Sequence, residues 1–522
     1  MRRQGDHAIF RPMSKNSFKR QAAIVLTLLL SCLLAYGVAI AYAQVPEIDS
    51  ISAETLPRSG RLKVYGSDFG STQGSSVVSI GGIVAPVTRW SNTRITAYVP
   101  ESSSLGVVDV QVMTGAGMSN EVPLTVTLRE RDGRVVWRFE ADSENLWWRP
   151  AIAPDGTIYA HGSEGFVYAL QPDGGLKWIS RVDWYPYGPP SAGSDGSVYL
   201  ASIQTVYALD PDGILQWRFT DNSTQGVMVG PNVGPDGNIY VANDWGLGAY
   251  ALSPVGELLW NNPGVPPMWY YGGLGADVVF GPRWPGTDTD QMYVAADRGG
   301  TDARLYGFLL DGTQRFAVPI GGQDSPFRQQ QTQPAVGPDG AIYVTHFKGY
   351  GIGWALESFE PRNGQSLWYF PGSGDMTPPE VGPDGIVYWA TIGDLVAFDP
   401  VTRTTRWSFS DGTILDYPSA SPRNDMVVSG GVITYGAPGF VKAVSTSGEL
   451  LWTVDLPGTF YPGPRVVSVH HPRFTSDGRT VYVSTTILSG DPDDPHSYLY
   501  AIDTRELIPG DVDIRRREPQ RP

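Results

Sequence analysis

The chain holds one cysteine, Cys32, in 522 residues. It lies inside an N-terminal apolar run, so the body of the protein has no disulfide, no thiolate chemistry and no c-type haem attachment. Histidine is nearly as scarce. Five follow the apolar run: His161, His346, His470, His471 and His496. None belongs to a two-histidine helical metal motif, and there is no G-x-S-x-G nucleophile elbow. Basic residues are few too, 38 against 53 acidic, for a formal charge of −15. Several of those basic residues precede the apolar run, so the remainder is more acidic still. A surface of that sign disfavours nucleic acid and anionic lipid as partners, and its plainest use is solubility.

Glycine (62) and proline (43) are plentiful but concentrated in no single tract. That suits many short strands joined by tight turns, not a disordered chain. The length allows one small and one large domain. At the N-terminus, Lys15, Lys19 and Arg20 precede the apolar stretch Ala22 to Ala41, and Ala41-Tyr42-Ala43 supplies small residues at a cleavage site. This is the layout of a secretory signal over 1–43, with cleavage after Ala43. The run is also long enough for an uncleaved anchor. Either way the rest is expected outside the cytoplasm, in the periplasm, at the cell surface or secreted.

Residues 44–127 alternate apolar and polar positions in short runs. Examples are Arg61-Leu62-Lys63-Val64-Tyr65, Val77-Val78-Ser79-Ile80, Arg94-Ile95-Thr96-Ala97-Tyr98 and Val107 to Val112. Period two means half-buried strands, and the spacing suits a small sandwich. In order along the segment stand Tyr65-Gly66-Ser67-Asp68-Phe69-Gly70, Ser79-Ile80-Gly81-Gly82, Trp90-Ser91-Asn92-Thr93-Arg94-Ile95, Val99-Pro100 and Ser119-Asn120. These resemble the IPT/TIG family over nearly the whole segment. The resemblance implies an immunoglobulin-like β-sandwich, a spacer or adhesion module without catalytic residues.

Residues 130–509 repeat one unit of about 40 residues. It reads P-D-G-x-I-Y-V, a variable stretch, then Y-A-L-D-P-x-G-x-L-x-W. Pro154-Asp155-Gly156, Ile158-Tyr159, Tyr168-Ala169-Leu170, Gly174 and Trp178 make the first copy. Copies four and seven are degenerate; Phe316 replaces the tryptophan in the fourth. The eighth ends at Tyr500-Ala501-Ile502-Asp503 without its tryptophan strand, and a spare one, Arg134 to Phe139, precedes the first copy. Four-stranded blades of a β-propeller follow, strands A to D from the axis outward, with the spare strand completing the last blade. The count is eight, or seven if copy four or seven is miscounted. The fold class is thus all-β, a sandwich plus a propeller. The A-L-D-P-x-G-x-x-x-W unit resembles the tryptophan-docking motif of quinoprotein-like (PQQ-binding-like) propellers, which implies that fold. That superfamily holds both quinone-dependent dehydrogenases and scaffolds, so the resemblance does not choose an activity.

No catalytic residue and no metal ligand is assigned. Asp288 with Asp290, and Asp491 with Asp493 and Asp494, read as solvated loops. The histidines read as exposed rim residues. No cofactor is expected, the alternative being pyrroloquinoline quinone (PQQ) with calcium. A–B and C–D connections are minimal turns on one rim; D–A and B–C connections vary and fall on the other, which makes that rim the candidate binding surface. Its D–A loops carry Trp147, Trp148, Arg149, Trp184, Tyr185, Tyr187, Trp269, Tyr270, Tyr271 and Arg328. These residue types carry interface hot spots and stack on sugars. They could equally plug the funnel or pack between blades. The sequence thus reads as an exported non-enzymatic binding or scaffold protein with a protein partner at the cell envelope. A glycan binder and a PQQ-dependent oxidoreductase are the alternatives. The tail from 510 to 522 is expected to be disordered.

Overall fold

The computed structural model describes residues 44–505, apart from 144, 147, 184–185, 187, 203, 222–227, 244–248, 263–277, 282–290, 297–303, 321–332, 350, 373–375, 392, 411–425, 438, 457–467 and 487–496. The expected signal and tail lie outside them. No helix among the described residues is long and apolar enough to cross a membrane.

Residues 47–127 fold as two packed sheets. One orders the strands Glu47–Ile51, Arg61–Ser67, Arg94–Tyr98 and Val87–Trp90; the other is centred on Gly106–Thr114, between Val122–Thr127 and Val77–Ile80. Inward residues at period two, such as Leu62 and Val64, Val78 and Ile80, Val110 and Val112, fill a core drawn wholly from this segment. The motif residues have local tasks. Trp90 Nε1 donates to Phe69 O at 3.1 Å, and the two rings meet edge to face. Asn120 ties down the first strand, taking Ile48 N at 2.8 Å and donating to Ile48 O at 3.0 Å.

From Val135 onward the described residues form eight four-stranded antiparallel sheets. In blade 1 the strands are Ala151–Ile152, Ile158–His161, Phe166–Leu170 and Leu176–Arg181, paired in that order. Strands B and C are buried along their length, because neighbouring blades cover both faces; strand D is half-exposed at the circumference. The Asp-Gly pairs make the A–B turns as the repeat implied. Gly156 has φ +85°, and Asp155 Oδ1 accepts Thr157 N at 2.9 Å.

The tryptophan of each D strand joins its blade to the next. Trp178 packs on Tyr159 of its own blade and donates Nε1 to Pro211 O of blade 2 at 2.8 Å. Its ring lies so near Gly213 that a Cβ there would come within 2.6 Å of it. Trp137, Trp217, Trp260 and Trp407 repeat this on Gly174, Gly256, Gly312 and Gly448, and Phe316 lies on Gly364. Phe316 has no N–H to give. The Tyr293 hydroxyl of the same blade lies within reach of Pro361 O, at 3.2 Å, and of Gln291 Oε1, at 3.0 Å. Two seams lack the glycine, and in both an arginine covers the indole: Arg403 over Trp368 at 5.9 Å and Arg134 over Trp452 at 5.2 Å. Arg403 accepts φ +57° to do so.

The last sheet closes as the spare strand suggested. Val135–Ala141 pairs antiparallel with Ser497–Asp503, outside Thr480–Thr486 and Ser468–Phe474.

Gly213 and Gly237 share a left-handed backbone, φ +80° and +81°, but nothing lies within 4 Å of a Cβ at Gly237. Gly237→Ala is expected to cost about 1 kcal/mol, the backbone term alone. Gly213→Ala should cost about 2–4 kcal/mol, because overpacking against Trp178 is added. Denaturation midpoints of the two variants check the difference.

Candidate functional site

The variable rim stands on anchored connections. Its first anchor is the C-strand tyrosine of the repeat. Tyr250 donates its hydroxyl to the carboxylate of Asp221, in the preceding D–A connection. Asp221 is itself held by its N–H on Gln204 O at 2.9 Å. Tyr207 faces Asp183, and burial first, then that acid, raises its phenol; the Tyr168 phenol is raised too, by burial and then by Asp142, but its hydroxyl makes no bond to that carboxylate. B strands add further anchors. Ser484 Oγ donates to Trp148 O at 3.1 Å, and Thr345 Oγ1 to Thr377 O at 2.7 Å. His161 Nε2 meets Gly188 O at 2.9 Å. Burial pushes the His161 pKa down to about 4, so the ring is neutral and Nε2–H is the donor.

Blade 5 departs from this pattern. Where blades 1 to 4 and 8 have the C-strand tyrosine, it has Glu357. The Glu357 side chain is 4% exposed, and Oε2 takes both His346 Nε2 and Lys348 Nζ at 2.7 Å. Ser366 Oγ donates to Oε1 at 2.5 Å. Lys348 lies over the ring of Tyr369 at 4.8 Å. Burial alone would raise the Glu357 carboxyl, but the hydrogen bonds from His346, Lys348 and Ser366 outweigh it and hold the pKa at about 2. The cluster is a hydrogen-bonded knot around one buried carboxylate. Among the described residues, no three or more His, Cys, Asp or Glu side chains gather as a metal site.

Comparison with known families agrees with this architecture. Residues 46–127 match the model described as the IPT/TIG domain, and residues 125–265 match that of outer membrane protein assembly factor BamB. The chain carries an IPT/TIG domain followed by a PQQ-type propeller repeat. Among solved structures, BamB from Moraxella catarrhalis is similar over 72% of this chain and 99% of its own, at 15% identity and a TM-score of 0.50. The Dos1 propeller is similar over 70% and 93%, at 12% identity and a TM-score of 0.53. At such identities the likeness is one of fold. Comparison with curated proteins finds no match.

The PQQ-type propeller places few of the expected rim residues in view. Trp148 is 7% exposed and Arg149 half-buried. Trp148 is thus buried, and its carbonyl is tied to Ser484 of blade 8. Trp147, Trp184, Tyr185, Tyr187, Trp269, Tyr270, Tyr271 and Arg328 lie outside the described residues, as do Asp288, Asp290, Asp491, Asp493 and Asp494. His161 and His346 are 4% and 1% exposed, which corrects their reading as exposed rim residues. His161 is covered by the D–A connection that carries Gly188, and His346 is buried against Glu357 of the neighbouring C strand. The blade 5 knot was missed from sequence. Its signal was the replacement of the repeat tyrosine by Glu357.

The knot carries a pH dependence. Its carboxyl has a lower pKa folded than unfolded, so its contribution is full above about pH 4.5 and fades as pH falls towards about 2. Wild type should lose on the order of 2–3 kcal/mol more than Glu357→Gln across that window. Urea titrations at stepped pH measure the two slopes.

Proposed function

We propose that this is an exported, non-enzymatic binding or scaffold protein whose variable propeller rim recognises a protein partner at the cell envelope. The observation that carries the reading is the division of the propeller into two unlike sides. One side is spent on Asp-Gly and tryptophan-docking turns. The other presents D–A connections of uneven length on a base tied down by tyrosine, serine, threonine and histidine anchors. Rigid support under variable loops is how scaffolds hold recognition surfaces. The family match supports the same class, since the repeat model is named for an assembly factor of outer membrane proteins. The aromatic content of those loops in the sequence suits a hot-spot surface. The N-terminal signal layout supports export. No cofactor enters this reading.

Photo-crosslinking in the native host tests it. A photoreactive residue at Tyr185 or Trp269 should give a discrete protein adduct, and one at Lys177, on a D strand away from that rim, should not. No adduct from the rim positions would sink the reading. A thermal-shift panel with PQQ plus calcium and with oligosaccharides separates the alternatives. A ligand at 100 times its Kd adds about 2.7 kcal/mol, so a shift with quinone would favour an oxidoreductase and a shift with sugar a glycan binder.

A further inference from the structure

The ring is closed by chain segments made far apart. Strand Val135–Ala141 waits for Ser497–Asp503; Ser497 Oγ reaches Ser143 O across 354 residues of chain. Until then Val135, Trp137 and Phe139 would stand on an unpaired edge, and closing so large a loop carries an entropic cost.

The sandwich grips this strand. Arg61, 3% exposed, donates Nη1 to Glu140 at 2.7 Å and Nη2 to Asp142 at 2.9 Å. Asp142 is fully buried and also receives Thr88 Oγ1 at 2.7 Å and Arg89 Nε at 2.9 Å. Tyr98 is fully buried, stacks on Phe139 at 5.4 Å and donates its hydroxyl to Glu140 O at 3.0 Å. A second hold lies on blade 1, against which the strand must dock. Ser59 Oγ accepts Leu176 N at 2.8 Å, and Arg129 reaches Asp173 O at 3.0 Å. The repeat supplies an internal control for this hold. Leu176 is 7% exposed under the sandwich, whereas Leu215 and Leu258, its equivalents in blades 2 and 3, are 50% and 47% exposed.

We propose that the sandwich is an assembly clamp for the propeller. Its core is made only of its own residues, and it precedes the propeller in the chain, so it can fold before the ring does. It then covers the inner ring of the closing strand with Tyr98 and fixes that strand's end through Asp142. Buried arginine–carboxylate contacts of this geometry are rigid and specific, which suits holding a strand in register. The sandwich is thus bound to the ring it serves and does not act as a loose spacer.

Refolding of the full chain tests this, with pulsed hydrogen exchange read by mass spectrometry. Peptides covering 135–141 and 497–503 report closure, and one covering 304–309 in blade 4 is the reference. In Arg61→Ala, protection of the closing pair should appear about tenfold more slowly or worse. At equilibrium that pair should exchange about 100-fold faster than in wild type, with 304–309 unchanged. Closure at the wild-type rate, or equal slowing of all three peptides, overturns the clamp. Should Arg61→Ala not fold, Arg89→Ala removes one contact to Asp142 and must show the same selective slowing to a smaller degree.

Discussion

An indole lying on a bare α-carbon is the contact on which the ring depends. Each D-strand tryptophan must meet the next blade's C–D turn, and the turn can come close only where it has no side chain in the way. A left-handed glycine such as Gly213 meets both demands, since it makes the turn and leaves the space. The indole N–H then satisfies a turn carbonyl, so a large apolar surface is buried without stranding its donor. The substitutions show what the contact requires. Phe316 keeps the surface and loses the donor, and the Tyr293 hydroxyl lies within reach of Pro361 O. Arg403 and Arg134 replace the glycine by laying a flat cation on the ring. The contact tolerates a change of chemistry if the face of the ring stays covered.

A ring of such contacts has a constraint that an open chain does not, because its last seam joins the two ends of the fold. That seam has no covalent C–D turn, as strand C ends at Asp503 and strand D begins near Arg134. Arg134 bridges the gap, lying over the Trp452 ring, whose buried Nε1 has no hydrogen-bond partner among the described residues, and donating to Asp503 O at 3.2 Å. Arg131 adds a bond to the Asp503 carboxylate at 3.0 Å. The sandwich runs into the propeller at this point, and its buried arginine and tyrosine fall on the strand that closes the ring.

The two sides of the propeller are built differently. The turn side carries the contacts between blades and has little freedom to vary. Anchors from strands B and C hold the bases of the D–A connections. Glu357 shows that the tyrosine position can hold a buried carboxylate when residues of the same blade pair with it.

The sequence by itself determined the two units, the strand pattern, the turns and the closure by an N-terminal strand. All of these follow from short-range periodicity, from glycine and proline chemistry, or from a repeat laid beside its own copies. Only the tertiary structure decided which side chains face one another across seams. Trp148 reads as a rim aromatic yet is buried, in a connection tied back to Ser484 of blade 8. His161 and His346 read as exposed strand ends yet are buried, one against Gly188 O and the other against Glu357. Arg61, Arg89 and Asp142 carry no motif at all. They meet because the sandwich lies against the closing strand, and a contact between domains leaves no period in either domain's sequence for a reader to find.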